Sequence, residues 1–275
     1  MSRMHTSRDY FAGRALLTAA VLVALPAAAQ ADDGWSGSGE FGLVASRGNT
    51  RSENVNAKLQ FKKEDDTWKD NIFFNALRSK GEITSTTIQD GVPVSQSTYQ
   101  LTANRYEAGA SAGYKLDERS YIVGALRYEN DDFSPFNYQA VGSIGYGYTL
   151  IKNQRTELSL EIGPGYKRFQ PIDFVQTMGD PPVSVLVHPD SEGEVVGRGL
   201  VTFKHQLTDT TSFQNTLLTE AGSSNTFVQN DAGLSVSVNK TIALKLGYQL
   251  RHNSDTGPGV KKTDQLITTN LVFNF

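Results

Sequence analysis

Thr263–Phe275, the last thirteen residues of the chain, read TDQLITTNLVFNF and decide the fold. Counting back from Phe275, Phe273, Leu271, Thr269 and Ile267 occupy every second position, and the residues between them are mostly polar. Period two gives a strand one apolar and one polar face. Ending such a strand on an aromatic carboxy terminus suits a barrel, whose last strand pairs with its first and seats terminal aromatics in an interfacial girdle. A soluble domain has little use for that ending.

The same alternation recurs upstream, over 35–46, 53–63, 99–115, 120–129, 138–151, 156–169, 194–207, 226–238 and 241–252. Tyr138, Ala140, Ile144, Tyr146, Tyr148 and Leu150, for example, alternate with Gln139, Ser143, Gly145, Gly147 and Thr149. Each run is near the roughly 9–11 residues that a tilted strand needs to cross a bilayer's hydrocarbon. Two further strands are weaker: 67–79, where Ile72-Phe73-Phe74 breaks the pattern, and 211–221. With both, the sequence predicts an all-β, antiparallel up-and-down transmembrane barrel of about 12 strands; without them it would have ten.

The connections sort by parity. Glu64–Asp66, Leu116–Arg119, Lys152–Arg155, Thr208–Thr210 and Asn239-Lys240 are short, whereas Lys80–Thr98, Asn130–Asn137, Gln170–Gly193 and Asn253–Lys262 are long and rich in Gly, Pro, Ser and Asp. Short turns on one side and long loops on the other is the layout of an outer-membrane barrel with both termini in the periplasm. Gly163-Pro164-Gly165 inside a strand predicts a bulge or bend, because proline cannot donate to the ladder.

Ahead of the barrel, Arg3, Arg8 and Arg14 precede a short apolar run, Ala15–Pro26, and Ala29-Gln30-Ala31 forms a small-residue cleavage site. Residues 1–31 therefore read as an export signal and 32–275 as the barrel. A hydrophobic content of 38% would suit a soluble protein. It suits a barrel equally well, since only alternate strand residues face lipid. The absence of cysteine fits an exported chain and removes thiolate chemistry and cysteine metal ligands. A formal net charge of −3 gives nucleic acid no purchase.

The polar faces carry the candidate lumen-lining residues Lys58, Arg105, Glu107, Arg127, Glu157, Glu161, Lys167, Arg198 and Lys245. Lys204, Arg251, Glu40, Glu129, Glu194, Glu220, Asp231 and Asp264 share those faces. The signs are nearly balanced. They fit either a water-filled pore with facing charge ladders or a closed lumen in which the charges satisfy one another. Enzymatic chemistry is not expected. A hydrolase would need a nucleophile beside a base, and His188, His205 and His252 fall in a loop or on outward faces. Glu157 and Glu161 have a spacing that polar-in alternation produces by itself, and Asp65-Asp66 and Asp131-Asp132 match no calcium loop. No cofactor or metal is expected.

Ser36–Phe61 (SGSGEFGLVASRGNTRSENVNAKLQF) resembles the opening of the YdiY-like family of salt-induced outer membrane proteins, which carry a domain of unknown function. Asn104–Leu116, Tyr121–Tyr148 and Leu158–Tyr166 are similar to its middle, so the resemblance spans the mature chain. It implies an outer-membrane β-barrel with no established reaction, cofactor or catalytic residue. The partners it implies are outer-membrane lipids and the barrel-assembly machinery, which would read Leu271, Phe273 and Phe275 as an insertion signal. A narrow passive channel for small solutes or ions, or a role in envelope stress tolerance, is the expected function. Ligand binding or adhesion through 80–98 and 170–193 is the alternative.

Overall fold

A computed structural model describes residues 34–47, 51–89, 92–178, 183–256 and 261–275. The proposed export signal, 1–31, lies outside the described residues. The strands are β1 (Trp35–Ser46), β2 (Ser52–Glu64), β3 (Trp68–Gln89), β4 (Val92–Lys115), β5 (Ser120–Asp131), β6 (Phe136–Lys152) and β7 (Thr156–Pro171). They continue with β8 (Phe174–Met178), β9 (Val183–Val187), β10 (Glu192–Gln206), β11 (Thr211–Ala221), β12 (Thr226–Ser237), β13 (Ile242–Asn253) and β14 (Thr263–Asn274). All but β8 and β9 close one antiparallel barrel in chain order, and those two form a separate hairpin. Twelve strands line the wall, including both weak ones.

Closure joins the ends of the chain. β1 pairs with β14 from Ser38 opposite Asn274 to Phe41 opposite Leu271. Beyond the ladder, Gly37 donates to the Phe275 carbonyl at 2.7 Å and Phe275 donates back at 3.0 Å. The Phe275 ring lies where a Cβ on Gly37 would be and meets Phe61 edge-on at 5.8 Å. Closure gives every strand of the wall a neighbour on both sides, so that the wall has no free edge.

The register assigns faces. Leu126, Ile144, Ile162, Val195, Leu246 and Ile267 all point outward and are exposed. Trp68 packs edge-on against Tyr114 toward the short turns, and Tyr128 stacks on Tyr138 toward the other end. Ile72-Phe73-Phe74 is resolved by the same parity. Phe73 faces inward with Asn71 and Asn75, where its ring fills the space beside Gly109, while Ile72 and Phe74 face outward. An inward aromatic broke the sequence pattern, not the strand.

Three expectations are corrected. Lys80–Thr98 is not an irregular loop: β3 and β4 run on through it, paired from Lys80 opposite Leu101 to Gln89 opposite Val92 after a bulge at Ser79/Lys80. Its Thr, Ser, Ile and Val residues favour strand, and the cross-strand hydroxyl pairs Thr84–Ser97 and Thr86–Ser95 bond at 2.8 Å. Gln170–Gly193 likewise holds the β8–β9 hairpin, built on two β-branched runs. Finally, no bulge marks Gly163-Pro164-Gly165. Register with β10 is continuous there, and β6 keeps the same offset from Ser143 opposite Gly165 to Tyr146 opposite Ile162, with Gly163 and Pro164 left out of the β6 ladder. These glycines serve close approach: a Cβ on Gly163 would sit 2.1 Å from the Ile144 carbonyl oxygen. The observed shifts in β6 lie at Phe136/Tyr138 and Thr149/Ile151.

Candidate functional site: the ionic lumen

Inward alternation delivers charges from all sides of the wall to a shared interior, and the register decides which of them meet. Toward the end opposite the short turns they form one buried cluster. Arg127 on β5 holds Glu129 at 2.9 Å, reaches Glu107 at 3.6 Å and makes a two-pronged contact with Glu220 on β11. Arg251 on β13 binds both Glu129 carboxylate oxygens at 2.6 Å and Asp131 at 3.1 Å. β5 and β13 stand six places apart in the twelve-strand ring, on opposite sides of it. The Arg251–Glu129 pair therefore spans the lumen. Arg105 joins through Asp131 at 3.9 Å and a hydrogen bond donated to the Gln249 side-chain oxygen.

Aromatic rings pack this cluster. Both guanidinium groups lie against the fully buried Phe227 ring, 5.0 and 4.9 Å from its centre. Nearby, Lys167 pairs with Glu194 at 2.6 Å and lies over Phe169 at 4.9 Å, with Phe136 edge-on to Phe169. Glu194 also accepts from Ser223 and from the backbone and side chain of Ser224, fixing the β11–β12 link. Glu129, Lys167 and Glu220 are each 1% exposed. Charges so far from water persist only when partners offset the lost hydration, and each of these has an ionic partner, although the Arg251 Nε is left without an acceptor.

The other end differs in kind. A cavity of about 370 Å³ runs from the short-turn rim at Glu64, Lys69 and Lys204 inward to Arg105, Glu107, Arg127 and Glu220. Its wall pairs are Lys245–Glu40 at 2.6 Å, Arg198–Glu161 at 3.1 Å and Lys58–Asp231 at 3.7 Å. Glu161 also accepts from the Tyr121 hydroxyl at 3.1 Å. At the rim Glu157 is shared by Lys69 at 3.4 Å and Lys204 at 3.8 Å, and Glu64 by Lys115 at 3.0 Å and Lys152 at 3.3 Å. Below it Asp65 and Asp117 cap their turns. Hydrogen bonds from the backbone N–H groups of Trp68 and Thr67 hold the Asp65 carboxyl below the usual carboxylate range. For Asp117 the Ser120 hydroxyl, then the Arg119 and Ser120 N–H groups, do the same.

All nine lumen candidates point inward, but they divide between these regions. Lys167 belongs to the buried cluster; Lys58, Arg198, Lys245, Glu157 and Glu161 line the cavity; Arg105, Glu107 and Arg127 stand between. Asp264 is exposed at the far end of β14, opposite Arg251 in register. Sequence reasoning passed over Tyr121, Phe169 and Phe227, although their parity with Arg127, Lys167 and Gln229 marks them as inward; Phe136 is out of step with Gln139 in sequence and reaches the inner face only through the irregularity between Phe136 and Tyr138. His205 faces out, stacked on Phe203 and bonded to Thr156 at 2.9 Å, and His252 faces out beside Thr263 at 2.8 Å. His188 meets Asp173 at 2.8 Å on exposed chain beyond β9. Asp131 sits in the ion cluster, and Asp132 accepts from Asn104.

Among curated proteins the chain is similar to the uncharacterized protein YdiY of Escherichia coli (strain K12), 22% identical over 247 residues that cover 90% of this chain and 85% of that one. Among solved structures, the translocator domain of the autotransporter NalP from Neisseria meningitidis aligns at 11% identity and a TM-score of 0.45, covering 94% of each chain. The NanC porin aligns at 10% identity and 0.42, covering 87% of this chain and 97% of that one. The family described as "Protein of unknown function, DUF481" matches residues 39–275, nearly the whole barrel, and the chain belongs to it.

Proposed function

We propose that the chain is an outer-membrane β-barrel acting as a narrow passive channel for small solutes or ions, closed at rest. Its twelve strands present an apolar outer face and a charged interior, the arrangement a bilayer demands of a barrel. The short turns and both barrel termini would face the periplasm, and the long β3–β4 ribbon and β8–β9 hairpin the exterior. Outer-membrane lipids and the barrel-assembly machinery are the partners this reading implies, the latter engaging the Leu271, Phe273 and Phe275 end.

The observation that carries closure is the Arg251–Glu129 pair between opposite strands, 2.6 Å long and buried. A general porin keeps water between its charge ladders; here the ladders touch. Conductance of the refolded protein in a planar bilayer tests the reading. The native protein should stay silent or open briefly, while Glu129→Gln with Arg251→Gln should give frequent, salt-dependent steps. Large, stable steps from the native protein, or silence from both proteins, would count against a closed channel.

A second reading has its own support. Ile88, Val92, Val175 and Val183 are exposed on the two projecting hairpins, and a two-stranded ribbon gains stability from a partner. Ligand binding or adhesion through 80–98 and 170–193 would be lost on shortening either hairpin, with the barrel still folded.

A further inference from the structure

One inward cation has no counter-ion. Lys62 on β2 lines the cavity near its rim, and no acid side chain pairs with it among the described residues. The charges that bear most on it are Lys204 on β10, Glu157 on β7, Lys245 on β13 and Lys69 on β3, three of the four like its own. Lys245 is already bound to Glu40 at 2.6 Å. Glu157 is divided between Lys69 and Lys204 at 3.4 and 3.8 Å, contacts too long to neutralise either fully. Lys115 and Lys152 share Glu64 in the same way one step closer to the turns. At the rim Lys69, Lys115, Lys152 and Lys204 thus share two glutamates, Glu64 and Glu157, beside the unpaired Lys62, while Asp117, Glu118 and Arg119 lie at its turn-side margin, so the ammonium groups outnumber the carboxylates they share.

Like charges held together in a half-enclosed space repel more strongly than in bulk water, and the wall pairs elsewhere in this lumen show that such groups are ordinarily matched. We propose that the rim is a binding site for a small multivalent oxyanion, a phosphate or phosphoryl group, seated among Lys62, Lys69 and Lys204. Lysine suits this ligand: three rotatable N–H donors on a flexible stem can converge on oxygen atoms from different strands without the fixed plane of a guanidinium. The cavity is far larger than one phosphate, so the ligand can carry an uncharged or polar remainder toward Asn71 and Asn75. Entry from the short-turn side rests on the proposed closure at Arg127 and Arg251; the affinity of the rim for an oxyanion does not.

Calorimetric titration of the full barrel in zwitterionic nanodiscs with inorganic phosphate, against chloride at matched ionic strength, tests the site. Phosphate should bind saturably and chloride should not. Lys62→Gln should weaken phosphate roughly tenfold by removing one charge-assisted contact. Glu157→Gln should strengthen it, because the competing acid is gone; mere loss of structure would not raise affinity. Heat-modified gel mobility shows that each variant is folded. Phosphate binding no tighter than chloride, or unmoved by both substitutions, overturns the proposal. Competition by anionic phospholipid added to the nanodiscs would overturn a soluble ligand in favour of a lipid headgroup. Conductance and equilibrium binding are separate readouts, so a failed channel and a failed site are told apart.

Discussion

The two ends of the lumen are built from the same strands and both carry charges of either sign, yet one is packed and the other hollow. Arginine dominates the packed end, where Arg127 and Arg251 each hold more than one carboxylate and stack on Phe227. Lysine dominates the hollow end, where Lys69, Lys115, Lys152 and Lys204 reach shared glutamates at 3.0 to 3.8 Å. A planar, weakly hydrated guanidinium can be desolvated against carboxylates and rings; an ammonium keeps its water. The choice of base largely follows that division, the exceptions being Lys167, buried on Glu194 in the packed cluster, and Arg198 on the cavity wall. Inward aromatics reinforce the sorting by filling space around the arginines.

The sharpest way to break this comparison is to remove one acid from each end. Glu129→Ala takes one carboxylate from each of two buried guanidinium groups, leaving Arg127 on Glu220 and Arg251 on Asp131, and should cost about 3 kcal/mol, read from urea unfolding of the refolded barrel in detergent. Glu157→Ala should cost less than about 1 kcal/mol in the same assay, because its lysines regain water. Equal losses would mean that the ends do not differ in solvation. Exchanging the bases sharpens the point. Arg127→Lys forfeits the two-pronged grip on Glu220 and should lose about 1.5–3 kcal/mol. Lys204→Arg at the rim should be nearly neutral.

Gly147→Ala probes the border between the regions. A Cβ there would meet the Tyr121 ring at 2.2 Å, so the ring must move and its bond to Glu161 lengthen, at a cost of about 1–3 kcal/mol. Altered Tyr121 fluorescence or chemical shift would report the displacement.

The smallest effect belongs to the turns outside the membrane. The Asp117 carboxyl is held below its unfolded value by Ser120 and by the Arg119 N–H, so its stabilisation is present above the ordinary carboxylate range and is lost as pH falls through the depressed value. Proteolysis at Leu116–Ser120 should therefore rise only in acid for the native chain and already at neutral pH for Asp117→Ala. Susceptibility independent of pH in both would remove the cap from the account.

Much of this is legible in the sequence. Period two in Thr263–Phe275 and its repeats gives the strands and the side each residue faces, because alternation is a local property of extended backbone. It failed where an inward position is aromatic, as at Phe73, because hydrophobicity alone does not distinguish a lipid-facing ring from one filling a lumen. It failed again at Lys80–Thr98, where Gly, Pro and Ser read as loop and strand pairing carried the chain onward.

The sequence by itself determined the barrel, the apolar outer wall, the inward charges and the joining of the last strand to the first. Tertiary structure alone decided which charges meet. Arg127 and Glu220 lie 93 residues apart, and Arg251 and Glu129 are 122 apart on opposite strands. No local rule links such positions. Strand number and register set how wide the lumen is and which side chains share a level in it, and from that follow a packed end, a hollow end and, among the described residues, a cavity-lining Lys62 with no paired acid.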